Sequence, residues 1–223
     1  MVAFFERRQE AARGRIVLVT LAPEVEGAIA LIEWLVTTGV RVAIGHTAAT
    51  GDQIAAAVSA GATLSTHLGN GCAADLPRHP NLIWDQLADD RLHASVIVDG
   101  HHLPASTVKA MTRAKGPERT ILVSDAIAAA GCNPGRYTIG GVECELHGDG
   151  RVSLPGTPFL AGSSLTLDRA IENTVRFTGL PVADVSAMAS TGPARYIGMP
   201  TAGTVVADWD SSAGSLTVVD VRH

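Results

Sequence analysis

The sequence predicts an α/β fold built on a parallel sheet, and three observations carry that reading. Short runs rich in β-branched residues recur, each followed by a segment with helical periodicity. The first run is almost continuously apolar, as a strand buried on both faces requires. A residue able to do chemistry also stands just past the C-terminal end of strand after strand. Strict alternation of strand and helix leaves a doubly wound sheet and a barrel both open. The polar strand ends choose between them, because in a (β/α)8 barrel those positions all face one mouth. The expectation is a partial TIM-like (β/α) barrel.

The elements follow in order. Ile16 to Leu21 reads as the first strand, and Val25, Ala28, Ile29, Ile32, Leu35 and Val36 form a helical stripe that stops at Gly39. Arg41 to Ile44 is a second strand. Thr50 with Gln53 has the form of a capping box opening a helix that runs to Gly61. Ala62 to Thr66 is a third strand, followed by a loop rich in Gly, Asn and Pro and an acidic helical segment from Leu82 to Asp90. Ala94 to Val98 is the fourth strand, Pro104 opens a helix ending near Gly116, and Thr120 to Val123 is the fifth. Beyond Asp125 the pattern changes. Residues 135–155 alternate like hairpins, helices are expected at 164–178 and 181–190, and Thr204 to Val221 alternates again.

Composition bounds the function. Of 223 residues, 46% are hydrophobic and 17% charged, below the roughly 25% charged of an average soluble domain, which points to many buried segments. The net charge is −5 with scattered basic residues, so neither a nucleic-acid face nor a polybasic membrane anchor is expected. Cys72, Cys132 and Cys144 are odd in number and widely spaced, which suits core or loop positions in a reducing compartment. MVAFFERRQEAARGR has no apolar core of a signal peptide, and no apolar run approaches a membrane span. A soluble, cytoplasmic protein is expected.

The strand-end residues are Glu24, His46, His67, Asp99 with His101 and His102, and Asp125. His46 and His67 are one βα unit apart, which puts two imidazoles on adjacent strand ends where they can share a metal. The alternative is a pair of unrelated polar caps. Asp125 can serve as a general base beside such a metal, or as a helix N-cap before the weak helical stretch Ala126 to Gly131. The loop from His67 to Pro80 places two glycines beside Asn70, with Arg78 able to close on an anion bidentately; a solvated loop Arg is the bland reading. Leu160-Ala161-Gly162-Ser163 reads as a tight turn before a helix N-terminus. His79, His93, His147 and His223 have no positional argument and are expected at the surface.

Taken in order, the motifs LAPE, GHT, THLxN, DGxH, LVSDA, LAGSSLTL and MAS-TGPARYIG resemble those of N-acetylglucosamine-6-phosphate deacetylases of the amidohydrolase superfamily. The likeness runs from about Ile16 to Gly198. It implies a barrel of the metal-dependent amidohydrolase type and one divalent metal ion, zinc first and iron second, on His46 and His67. It implies substrate binding by Asn70, Gly71, Arg78 (phosphate), Asp99, Gly100, His101, His102, Leu160, Ala161 and Gly162, and an acid/base role for Asp125. The substrate class is a phosphorylated N-acetyl amino sugar, and the full-length form is expected to be a homo-oligomer without nucleic-acid or membrane partners.

Two departures bear on the pocket: the loop reads NGC where better-known members have NAM, and His101 precedes His102. A third concerns extent. The family's HxH motif and its HxEGP segment, whose Glu is also a metal ligand, have no counterpart here. The resemblance therefore assigns residues 1–200 to barrel strands four to eight with C-terminal helices, and 201–223 to a remnant of a small β-sandwich. A fragment and a naturally shortened relative both fit. The readings carried forward are hydrolysis of the N-acetyl amide of N-acetylglucosamine 6-phosphate, an amidohydrolase acting on another amide or cyclic imide, and a non-catalytic homologue that binds a sugar phosphate.

Overall fold

A computed structural model describes residues 1–222, and His223 lies outside the described residues. The chain divides into two compact units. The first comprises Met1–Val96, Arg113–Ile121 and Gly192–Met199; the second comprises Ile97–Thr112, Leu122–Thr191 and Pro200–His223.

The first unit is organised by a sheet of five strands in sequential order: β1 (Leu18–Leu21), β2 (Arg41–Ile44), β3 (Leu64–Ser65), β4 (His93–Val96) and β5 (Thr120–Leu122). Pairing is parallel from β1 through β4, with Leu21 opposite Ile44 and Ile44 opposite Ser65 at the C-terminal ends. Every residue of β3 and β5 is buried, as strands covered on both faces require. The expected strands and their order are therefore found, although β3 keeps only two of its five expected residues.

Three helices of this unit follow from their sequences. In α2 (Ala28–Thr37) the buried residues Ala28, Leu31, Ile32 and Leu35 recur at helical spacing. The α3 helix (Gly51–Ser59) opens with the expected capping box, Thr50 and Gln53 each accepting from the other's backbone. Asn81 caps α4 (Leu82–Ala88) by accepting from the amides of Ile83 and Trp84. The cluster these helices bury on the sheet includes Ile32, Leu35, Val42, Ile44, Ile54, Ala57 and Leu92.

Two helices were not legible beforehand. In α1 (Val2–Ala11) only Phe5 is buried, packed edge-on against Trp34 at 5.7 Å between ring centroids. The last helix of the chain (Thr191–Ile197) carries Gly192 and Pro193 in its first turn, where Pro is tolerated. Its Tyr196 is buried, with the hydroxyl 2.8 Å from Thr63 Oγ1 and the ring 5.0 Å from that of His93. His93 is thus half-buried rather than at the surface. His147 is also half-buried, its Nε2 2.8 Å from Ser153 Oγ.

Most of α5 (Ala105–Lys115) falls in the second unit. There, three antiparallel strands, β6 (Gly135–Ile139), β7 (Val142–Leu146) and β8 (Val152–Ser153), bury Cys144, Leu146 and Val152 under Ile127 and Tyr137. Two helices follow, α6 (Leu167–Thr178) and α7 (Val182–Ala189), so that the helix at 191–197 is α8. The tail folds into an antiparallel pair, β9 (Thr204–Asp210) and β10 (Ser215–Arg222). It is tied to α6 where the Leu216 amide donates to Glu172 at 2.8 Å. Among the described residues no helix is long and apolar enough to cross a membrane.

Candidate metal and substrate site

Strand ends place His46 and His67 together. Their Nε2 atoms are 2.9 Å apart, and the rings meet edge to face at 4.7 Å and 85°. Both backbones are left-handed, with φ of 51° and 31°. Among the described residues only four non-glycine positions have positive φ: Arg13, His46, His67 and Asp125. Three of the four are residues singled out from the sequence for chemistry. Left-handed backbone costs a non-glycine residue roughly 1–2 kcal/mol, so surrounding contacts must hold it.

Those contacts are visible around each imidazole. His67 is buried, and its amide donates to Ser95 Oγ at 2.7 Å while Ser95 Oγ donates to the Ser65 carbonyl at 3.2 Å. The Leu68 amide donates to the Ser95 carbonyl at 2.8 Å, and the His67 carbonyl accepts from the Asn70 amide at 2.9 Å. One serine on β4 thus clamps the turn. Sequence reasoning missed Ser95, because a serine inside a strand carries no signal of its own.

The His46 turn is held by Glu24. Its carboxylate accepts from the Thr47 hydroxyl and, at 2.6 Å, from the Ala48 amide. Burial pushes the Glu24 pKa up, but these two hydrogen bonds, with one from its own backbone amide, outweigh it and hold the carboxyl below its ordinary value.

Two glycines let the parts approach. A Cβ on Gly45 would stand 2.7 Å from Thr66 Cβ and 2.9 Å from Thr20 Cγ2. At Gly71, with φ of 63°, it would stand 3.0 Å from His46 Nδ1 and 3.0 Å from His67 Cε1. The Gly71 backbone therefore lies against both rings.

The donor set suits a divalent metal. Two histidines on a tetrahedral zinc at 2.0–2.1 Å stand roughly 3.3 Å apart. The observed separation of 2.9 Å is within about half an ångström of that. His46 and His67 can supply two ligands, and among the described residues no cluster of three or more His, Cys, Asp or Glu forms a fuller set.

The other expected site residues distribute as follows. Asn70 donates through Nδ2 to the His67 carbonyl at 3.2 Å. Arg78 is exposed and in no ion pair among the described residues; its carbonyl accepts from Asn81 Nδ2 at 3.4 Å. In the second unit, Asp99 and His102 are a buried pair, Nδ1 to Oδ2 2.7 Å. Asp99 Oδ1 also accepts from the amides of His101 and His102, both at 2.8 Å. Burial raises the Asp99 pKa, but His102 and the two amides bring it below the ordinary value. Gly100 has φ of 83°, and His101 Nε2 lies 3.3 Å from the Asp149 carbonyl.

Asp125, at φ 48°, is exposed, and its carbonyl accepts from the Ser163 amide at 3.2 Å. Leu160 and Ala161 pair with β8, and Ser163 bridges to Ala126. The segment expected as a turn before a helix is therefore a bridge from β8 to Asp125, with α6 opening only at Leu167. At Gly162 a Cβ would meet Ile127 Cγ2 at 2.3 Å, which requires glycine there.

No protein-family model matches the chain. It is 42% identical over 183 residues to an N-acetylgalactosamine-6-phosphate deacetylase of Escherichia coli O157:H7, covering 82% of this chain and 48% of that protein. A putative N-acetylgalactosamine-6-phosphate deacetylase of Escherichia coli strain K12 is 40% identical over 134 residues, 60% of this chain and 78% of the relative. The solved N-acetyl-D-glucosamine-6-phosphate deacetylase of Mycobacterium smegmatis superposes with a TM-score of 0.89 at 35% identity, covering all of this chain and 61% of that one. The chain spans about half the length of most of the curated relatives it matches. Its parallel sheet, its strand-end histidines and these likenesses together establish that the chain belongs to the family of N-acetylglucosamine- and N-acetylgalactosamine-6-phosphate deacetylases, on the amidohydrolase fold.

Proposed function

We propose that the chain acts in metal-dependent hydrolysis of the N-acetyl amide of N-acetylglucosamine 6-phosphate, giving glucosamine 6-phosphate and acetate. The observation that carries this is the His46–His67 pair, two imidazole nitrogens 2.9 Å apart on adjacent strand ends. His46 and His67 would hold a divalent ion, zinc first, whose Lewis acidity polarises the acetyl carbonyl and the attacking water. Asp125 takes the proton of that water and returns it to the leaving nitrogen. Arg78 binds the phosphate, a charge-assisted contact that an unphosphorylated amide would not need. Asn70, Gly71, Asp99, Gly100, His101, His102, Leu160, Ala161 and Gly162 orient the sugar. Three free cysteines suit a reducing, cytoplasmic site of action.

The test is acetate release from N-acetylglucosamine 6-phosphate and its galacto epimer by the 223-residue chain with added Zn²⁺. The expected result is slow, zinc-dependent release that Asp125→Asn abolishes without lowering zinc content. Binding of the sugar phosphate with no release would make the chain a non-catalytic relative. Undiminished release by Asp125→Asn would remove Asp125 from the chemistry.

A further inference from the structure

Glu24 follows β1 in the motif Leu21-Ala22-Pro23-Glu24 and touches no reacting group, yet both its carboxylate oxygens are used within two residues of His46. Oε2 accepts from the Thr47 hydroxyl and Oε1 from the Ala48 amide at 2.6 Å. Thr47 is itself buried, and its oxygen accepts from the Ala49 amide at 3.0 Å. The carboxylate therefore closes a chain of hydrogen bonds through Thr47, Ala48 and Ala49. On the other side of His46, the Gly45 amide donates to the Leu21 carbonyl at 3.1 Å. Residue 46, left-handed at φ 51°, is thus tied to the end of β1 both before and after its own position.

Without those ties its peptide would relax towards commoner backbone angles and swing the ring away from His67. An ionised acceptor suits the task, since hydrogen bonds to a carboxylate are shorter and stronger than those to a neutral oxygen. Glu24 is also half-buried and Thr47 is buried, which shields their bond from water, while the Ala48 amide lies at the exposed edge of the turn.

We propose that Glu24 is a positioning residue for His46: it fixes the left-handed turn that aims Nε2 at the point shared with His67, and so presets the pair for a divalent metal. The inference rests on the reading of that pair as metal ligands. It requires that metal affinity respond to groups that never touch the metal, as is common for hydrogen-bonded supports of ligating histidines.

The experiment measures Zn²⁺ affinity by chelator competition on the full chain, for wild type, Glu24→Gln, Glu24→Ala and Thr47→Val. A second readout is the ring ¹⁵N spectrum of His46 in metal-free protein. Glu24→Ala should weaken zinc about 10–100-fold and broaden or split the His46 signals. Glu24→Gln should fall between it and wild type, because one amide oxygen can still accept from Ala48. Should Glu24→Ala fail to unfold cooperatively, Thr47→Val carries the test, since it deletes the Thr47 bond to Glu24, together with the Ala49 bond to Thr47, and leaves the carboxylate and its Ala48 bond in place. Wild-type affinity and sharp, unshifted His46 signals in the folded variants would overturn the proposal while leaving the metal reading intact. A wild-type chain that binds no zinc would instead overturn the metal reading.

Discussion

The substitution Gly45→Ala tests how tightly the sheet is drawn together beneath the two histidines. The new Cβ would lie 2.7 Å from Thr66 Cβ and 2.9 Å from Thr20 Cγ2, where carbon atoms in contact prefer about 3.5–4.0 Å. Either the ends of β1, β2 and β3 part by roughly 1 Å, or the 2.8 Å hydrogen bond between Thr20 and Thr66 breaks. Overpacking of this kind costs about 1–3 kcal/mol. In a chain of this length each kcal/mol moves Tm by about 2–4 °C, so a fall of about 2–12 °C in thermal unfolding is expected. His46 is the next residue, so zinc affinity should fall with it. In the double variant Gly45→Ala/Thr66→Gly the closest contact disappears, and the two effects should couple by about 1 kcal/mol. A Tm within about 1 °C of wild type, or strictly additive effects, would refute the reasoning.

Two further outcomes follow. Lys115 is 1% exposed and donates to the Asp89 carbonyl at 2.7 Å, and burial, with help from Arg119, pushes its pKa down to about 8. Between that value and its unfolded pKa the unfolded chain holds a proton the folded chain has lost. Stability should therefore rise with pH across that window by at most about 3 kcal/mol; urea unfolding of Lys115→Met should lose this rise. Arg78→Ala should raise KM for the 6-phosphate by a factor worth a few kcal/mol, while leaving the unphosphorylated sugar almost unaffected. Equal effects on both would make Arg78 a loop support.

The sheet was legible because its strands are apolar on both faces and its helices carry ordinary signals: the Thr50–Gln53 box, the stripe from Ala28 to Leu35, the stop at Gly39. The two histidines were legible because each stands directly past a strand, and parallel register then fixes their separation. What escaped was whatever depends on a partner distant in sequence. Ser95 has no local mark, and its role exists only because β4 lies beside β3. Glu24 stood out as a strand-end acid, but its service to the His46 turn depends on β1 lying beside β2. His93 was expected at the surface for want of a positional argument, and the residue that packs on it, Tyr196, stands far along the chain. Left-handed backbone at His46, His67 and Asp125 was equally invisible, since no side chain there announces it as a glycine would.

The most direct measurement is a zinc titration of wild type, His46→Ala, His67→Ala and the double variant. The account predicts one zinc per wild-type chain, a loss of roughly tenfold or more in affinity for each single change, and little further loss in the double variant, because two imidazoles that share one ion fail together. Zinc bound as tightly by His46→Ala and His67→Ala as by wild type would contradict it.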